Sequence, residues 1–148
     1  MKILAINKKA IHDYEMLEKL EAGVVLEGYE AKSVKNGNIQ LKGSFVSLQK
    51  GEPVVSGMHI GKYAPAGKLP DYDPTRVRKL LLKKREIAYL SAKIQEKGLT
   101  IVPIKVYTNN RFIKLEIAVA RGRKKYDKRE IIKKRETDRE MQRILKRN

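Results

Sequence analysis

The sequence predicts an antiparallel β-barrel of the OB type with flanking α-helices and a basic C-terminal tail, disordered until it meets a partner. Three observations carry this reading. Strand-period alternation lies on both sides of a helical stretch, the segments follow the element order of such a barrel, and positive charge climbs toward the C-terminus. In 148 residues there is room for one core, so residues 1–120 are expected to form the folded domain and 121–148 the tail.

The elements follow in order. The apolar run at residues 3–6 stops at Asn7-Lys8-Lys9, far short of a signal segment or a spanning helix, and a cytoplasmic chain without membrane contact is expected. Residues 14–26 fit two periods: Tyr14, Leu17 and Leu20 suit a helix, whereas Gly23-Val24-Val25-Leu26 suits a strand. Residues 28–38 read either as a binding loop, with an aromatic, a carboxylate and lysines, or as a short helix closed by Asn36-Gly37. Residues 44–48 and 54–60 flank Lys50-Gly51-Glu52-Pro53 as a hairpin. Asp73-Pro74 announces a helical stretch ending at Gly98. Its two apolar stripes, Val77, Leu80, Leu81 and Ile87, Leu90, Ile94, are out of phase, so two helices with a bend at Lys83-Lys84-Arg85 are expected. A last hairpin turns at Thr108-Asn109-Asn110, with Val102, Ile104 and Val106 on one arm and Ile113, Leu115, Ile117 and Val119 on the other. Pro103, which lacks an N–H, belongs at an edge or a bulge.

The charge points to a polyanionic partner. Lys and Arg number 34 against 17 Asp and Glu, a net charge of +17. Residues 1–50 carry +2, 51–100 carry +5 and 101–148 carry +10. Arg76, Lys79 and Lys83 share one face if residues 74–83 are helical, a phosphate-contacting arrangement. In the tail, Arg135, Arg139, Arg143 and Arg147 recur every fourth residue, a stripe that pairs with phosphates once the segment is helical.

Catalysis finds little support. His12 and His59 are the only imidazole bases, neither has a nucleophile set beside it, and both read as packing or surface residues. Asp71 and Asp73 read as turn and cap residues. Gly28 and Gly37 make no phosphate loop. With no cysteine and two histidines, no metal centre and no cofactor are expected.

Three segments carry a resemblance: Gly28-Tyr29-Glu30-Ala31-Lys32-Ser33, then Asp73-Pro74-Thr75-Arg76-Val77-Arg78-Lys79-Leu80-Leu81-Leu82, then Gly122-Arg123-Lys124-Lys125-Tyr126-Asp127-Lys128-Arg129. Together they resemble the small protein B family of SsrA-binding proteins, over the whole chain. The resemblance implies an RNA-binding translation factor, not an enzyme, that binds the transfer-RNA-like domain of transfer-messenger RNA. It implies delivery to stalled ribosomes, at the decoding centre and mRNA channel, with elongation factor Tu and alanyl-tRNA synthetase as partners through the RNA. Carried over by motif, the RNA-binding residues are Lys8, Lys9, Tyr29, Glu30, Lys32, Ser33, Asn38, Arg76, Arg78, Lys79, Lys124 and Lys125, with Leu80 and Leu81 as core. The ribosome-binding tail residues are Tyr126, Asp127, Lys128, Arg129, Ile131, Ile132, Arg135, Arg139 and Arg143. Tyr72 and Tyr126 stand where histidine is common, and Gly43 where aspartate is. The competing reading is a general basic RNA chaperone or ribosomal protein.

Overall fold

The computed structural model describes residues 1–67 and 71–123. Strand β1 (Lys2–Ile6) leads into helix α1 (Lys8–Asp13), and β2 (Tyr14–Val24) follows without a break. The ambiguous segment 14–26 is therefore a strand as far as Val24. Helix α2 (Gly28–Lys35) comes next, so residues 28–38 take the helical option, with Gly37 at φ 82° closing it. Then come β3 (Ile39–Gln40), β4 (Phe45–Gln49), β5 (Glu52–Ser56) and β6 (His59–Ile60). Lys50 and Gly51, at φ 51° and 78°, form the two-residue turn of the β4–β5 hairpin. A single 3-10 turn at Ala64–Ala66 precedes β7 (Arg78–Leu81), helix α3 (Lys84–Gln95), β8 (Leu99–Asn109) and β9 (Phe112–Gly122).

The expected helix pair over 74–98 is half wrong. Arg78 and Leu80 are buried while Lys79 and Leu81 are exposed, a period of two that makes 78–81 a strand. The phase break at Lys83-Lys84-Arg85 marks the switch from strand to helix rather than a bend between helices. Asp73 shapes the approach as a turn residue: its Oδ1 accepts from the Thr75 N–H at 3.0 Å and the Thr75 hydroxyl at 3.1 Å. Helix α3 starts where the Glu86 carboxylate accepts the Lys83 N–H at 2.9 Å.

Antiparallel pairings run β8, β4, β5, β7, β2, β9 and return to β8, closing a ring of six strands, with β1 added on β8. β3 and β6 pair separately. Register shifts at Met16/Glu18 in β2 and Pro103/Lys105 in β8 bend the long strands, so Pro103 does sit at a bulge. Inside lie Val46, Val55, Met58, Ile60, Leu80, Ile101, Val106, Leu115 and Ile117, joined by Val34 from α2 and Leu90 from α3.

Asn7 ties the start of the chain to this ring. Its Oδ1 caps α1 at the Ala10 N–H (3.1 Å), and its Nδ2 donates to the carbonyls of Leu41 (3.2 Å) and Pro103 (2.9 Å). All three bonds are buried. Asn7→Ala should therefore lower unfolding free energy by about 2–4 kcal/mol in urea titrations, from one lost cap and two orphaned carbonyls. A loss below about 1 kcal/mol would mean that water replaces the amide there.

Candidate nucleic-acid interface

The centre of the candidate site is a buried carboxylate. Glu30 is the third residue of α2, and its Oε1 turns back to accept the Glu27 N–H at 3.0 Å, as helix N-termini favour. Its Oε2 meets Arg78, which the alternation of β7 aims inward: Nε donates at 2.9 Å and Nη2 at 2.6 Å. Both side chains are fully buried. Arg78 also donates to the carbonyls of Met58 (2.6 Å) and Pro74 (3.0 Å), so one guanidinium gathers α2, the link between β5 and β6, and the loop before β7. Arg76 approaches the same carboxylate from outside, through Nε at 3.2 Å and through a contact of Nη2 with Oε1. Burial pushes the Glu30 carboxyl up, but hydrogen bonds from Arg76, Glu27 and Arg78, with the Arg78 charge, hold it below its ordinary value of 4.5.

Tyr72 covers this group. Its hydroxyl donates to the Ile60 carbonyl at 2.8 Å and lies 3.3 Å from Glu30 Oε2. Burial and the Glu30 charge raise its phenol above the ordinary 10.0, which keeps it a donor at neutral pH. The Tyr29 ring stands edge-on to Tyr72, centroids 5.4 Å apart at 85°. Lys32 Nζ lies 5.8 Å from the Tyr63 ring centroid, and the Ser33 hydroxyl donates to the Gly61 carbonyl at 2.6 Å. Gly61 also donates its N–H to Asn38 O at 3.0 Å. Tyr29, Lys32, Tyr63, Tyr72 and Arg76 thus form one basic-aromatic face above the buried pair.

A second cleft opens on the other flank of α2. Ala31 and Lys35 line it with Leu81, Arg111, Phe112 and Lys114, and its volume is about 230 Å³. Phe112 is 68% exposed and Leu81 56%, high values for large apolar side chains. Lys114 Nζ sits 5.9 Å from the Phe112 ring centroid and 4.0 Å from Glu21 Oε1, while Tyr107 donates to Glu21 Oε2. Aromatic surface rimmed by Lys and Arg suits a stacked base with its phosphate. Reading 78–81 as helical hid this cleft, because only strand alternation turns Leu81 outward beside an inward Leu80. The exposed Phe112 follows the hairpin turn, and its place beside Arg111 was the available signal.

The sequence-derived residues separate accordingly. Tyr29, Lys32, Asn38 and Arg76 reach the surface around α2. Glu30, Ser33 and Arg78 are buried, and internal partners occupy their polar atoms. Leu80 is core as expected, and Leu81 is not. Lys79 projects from the opposite side of β7 and pairs with Glu52 at 3.3 Å, so it shares no helical face with Arg76 and Lys83. Lys8 and Lys9 lie on α1, beside Gln40, Leu41 and Lys42. His12 Nδ1 meets Asp13 Oδ1 at 2.9 Å, and His59 pairs with Gln40 across β3 and β6. Among the described residues, no three of His, Asp and Glu cluster as metal ligands.

A profile of the SmpB family, described as SmpB protein, matches residues 4–147. The chain belongs to the SmpB family. It is 51% identical over 146 residues to the SsrA-binding protein of Persephonella marina, covering 99% of this chain and 95% of that one. With the SsrA-binding protein of Geobacillus kaustophilus it shares 49% identity over 145 residues, 98% and 93% of the two chains. A solved structure described as "tmRNA-SmpB: a journey to the center of the bacterial ribosome" matches with a TM-score of 0.68 and 43% identity, over 82% of this chain and 85% of that one. Of the residues expected to act in an SmpB-family protein, Lys124, Lys125, Tyr126, Asp127, Lys128, Arg129, Ile131, Ile132, Arg135, Arg139 and Arg143 lie outside the described residues.

The buried pair sets an acid limit on stability. Because the Glu30 carboxyl is held low in the folded protein, its contribution is complete above the ordinary carboxyl range and is lost as pH falls through the lowered value. Glu30→Ala leaves Arg78 buried without its anion and should cost about 3–5 kcal/mol at pH 7. In urea unfolding the gap between wild type and variant should narrow below about pH 4. An equal gap at pH 3 and pH 7 would show that the loss comes from packing alone.

Proposed function

We propose that this chain is an RNA-binding translation factor that binds the transfer-RNA-like domain of transfer-messenger RNA and brings it to stalled ribosomes for peptide tagging. The observation that carries the reading is family membership at about half identity to SsrA-binding proteins, joined to a basic-aromatic surface on both flanks of α2. Tyr29, Tyr63, Tyr72 and Phe112 supply ring faces and edges for unpaired bases. Lys32, Lys35, Arg76, Arg111 and Lys114 supply phosphate contacts. Glu30, Ser33 and Arg78 fix α2 and the loops so that the rings and cations stay in register.

The rest of the reading concerns architecture and partners. The six-strand ring is an OB-type barrel, and residues 1–120 bind RNA while 121–148 engage the ribosome at the decoding centre and mRNA channel. The tail is disordered in solution and becomes helical on rRNA, where phosphates offset the self-repulsion of Arg135, Arg139 and Arg143. Elongation factor Tu and alanyl-tRNA synthetase meet the protein through the shared RNA, in the cytoplasm. Among the described residues, no helix is long and apolar enough to cross a membrane.

Three measurements test this reading against a general RNA chaperone. With about 4–6 phosphates neutralised, affinity for the transfer-RNA-like domain should fall with salt at a log-log slope of roughly −3 to −5. Phe112→Ala should weaken it by about 1–3 kcal/mol. Deleting the residues after Arg129 should leave that affinity nearly intact and abolish tagging on stalled ribosomes. A chaperone predicts instead that truncation weakens binding to every RNA in proportion to the charge removed, with no preference for this one.

A further inference from the structure

Glu30 receives more donors than a carboxylate has places for. An ionised carboxylate offers about four acceptor sites, two on each oxygen. Oε2 takes Arg78 Nε at 2.9 Å and Nη2 at 2.6 Å, which fill it, yet Arg76 Nε also lies there at 3.2 Å. Oε1 takes the Glu27 N–H at 3.0 Å together with Arg76 Nη2. If Arg76 is removed, Oε2 remains saturated and Oε1 keeps its helix N–H. If Arg78 is removed, the Met58 and Pro74 carbonyls lose their donor as well.

The two arginines also differ in position. Arg78 is fully buried and spends its fork on four internal partners: Glu30, Tyr72 and the two carbonyls. The Arg76 side chain is 33% exposed, and among the described residues its guanidinium bonds Glu30 alone. It borders the face formed by Tyr29, Lys32 and Tyr72.

We propose that Arg76 is an exchangeable arm: parked on Glu30 in the free protein, it transfers its guanidinium to a backbone phosphate of bound RNA while Arg78 keeps the carboxylate in place. This deepens the RNA-binding reading above and rests on it. A phosphate oxygen pair matches the guanidinium fork as a carboxylate does, so one charge-assisted pair replaces another. Glu30 is never stranded, because Arg78 neutralises it throughout. The parked state also selects against loosely held anions. Only a phosphate already fixed by neighbouring stacking and lysine contacts displaces two hydrogen bonds to Glu30.

The test uses the full chain, labelled with nitrogen-15, and a transcript of the transfer-RNA-like domain of transfer-messenger RNA. On RNA addition the Arg76 Nε–Hε resonance should move while that of Arg78 holds its free-protein position. Arg76→Gln should weaken binding roughly tenfold, the scale of a hydrogen-bonded charged contact less what Glu30 already supplied. Its urea midpoint should fall only slightly, by the loss of partly exposed bonds to Glu30, whereas Arg78→Gln should lower the midpoint sharply. Arg76→Lys keeps the charge without the fork and should recover only part of the affinity. Wild-type affinity in Arg76→Gln, a urea midpoint in that variant as low as that of Arg78→Gln, or an unmoved Arg76 resonance in an RNA-saturated sample would each overturn the exchange and leave RNA binding standing. Failure of the wild-type chain to bind the transcript at low salt would overturn both.

Discussion

The ion pair between Glu30 and Arg78 is the interaction on which the arrangement of the candidate face depends. A buried pair of this kind adds little net stability, since desolvation of both ions nearly cancels their attraction. What it supplies here is position. The carboxylate belongs to the first turn of α2, the guanidinium to β7, and the carbonyls they hold belong to Met58 and Pro74. Three segments distant in sequence are locked together, with Pro74 only four residues before Arg78, by groups that tolerate little misplacement. An apolar cluster of equal volume would slide; directional bonds do not.

Beneath that polar cluster, the ring of strands acts as the rigid mount. β8 and β9 pair over nearly their whole length, and β2 pairs with β9 along nine residue positions. The hairpin tip that carries Arg111 and Phe112 therefore grows out of the most continuous part of the sheet. α2 lies between this tip and the Tyr63–Tyr72 region, and it buries Glu30, Ser33 and Val34 on its inner side. Ala31 and Lys35 line the Phe112 cleft, while Tyr29 and Lys32 belong to the basic-aromatic face. One helix thereby brings two separate surfaces into a single footprint.

Legibility in the sequence varied with the range of the forces involved. Both hairpins were readable, because turn chemistry and alternation are local, whereas edge or bulge at Pro103 and loop or helix at 28–38 stayed open until the fold decided them. The β7 segment was misread for a physical reason: Val77, Leu80 and Leu81 imitate a helical stripe, and only the burial of Arg78 reveals a period of two. No local pattern shows that an arginine is buried, since its carboxylate lies 48 positions away. Equally non-local partners hid the burial of Glu30 and Ser33, since a motif match does not say whether a residue touches a ligand or holds what touches it. The net charge, by contrast, needs no fold at all to be read.

The closed ring has a consequence for the behaviour of the chain in a crowded solution. Strand edges that lack partners invite other strands, and a protein rich in long strands is exposed to edge-to-edge aggregation. Here β8 and β9 close on each other, leaving the six-strand ring without an end to extend. β1, which pairs with β8 alone among the described residues, is five residues long, carries Lys2 and is kinked by the register shift between Ile3 and Ala5. Short length, charge and a bulge are each deterrents to strand addition. The architecture that presents the basic-aromatic face thus also protects the free protein from polymerising along its own sheet.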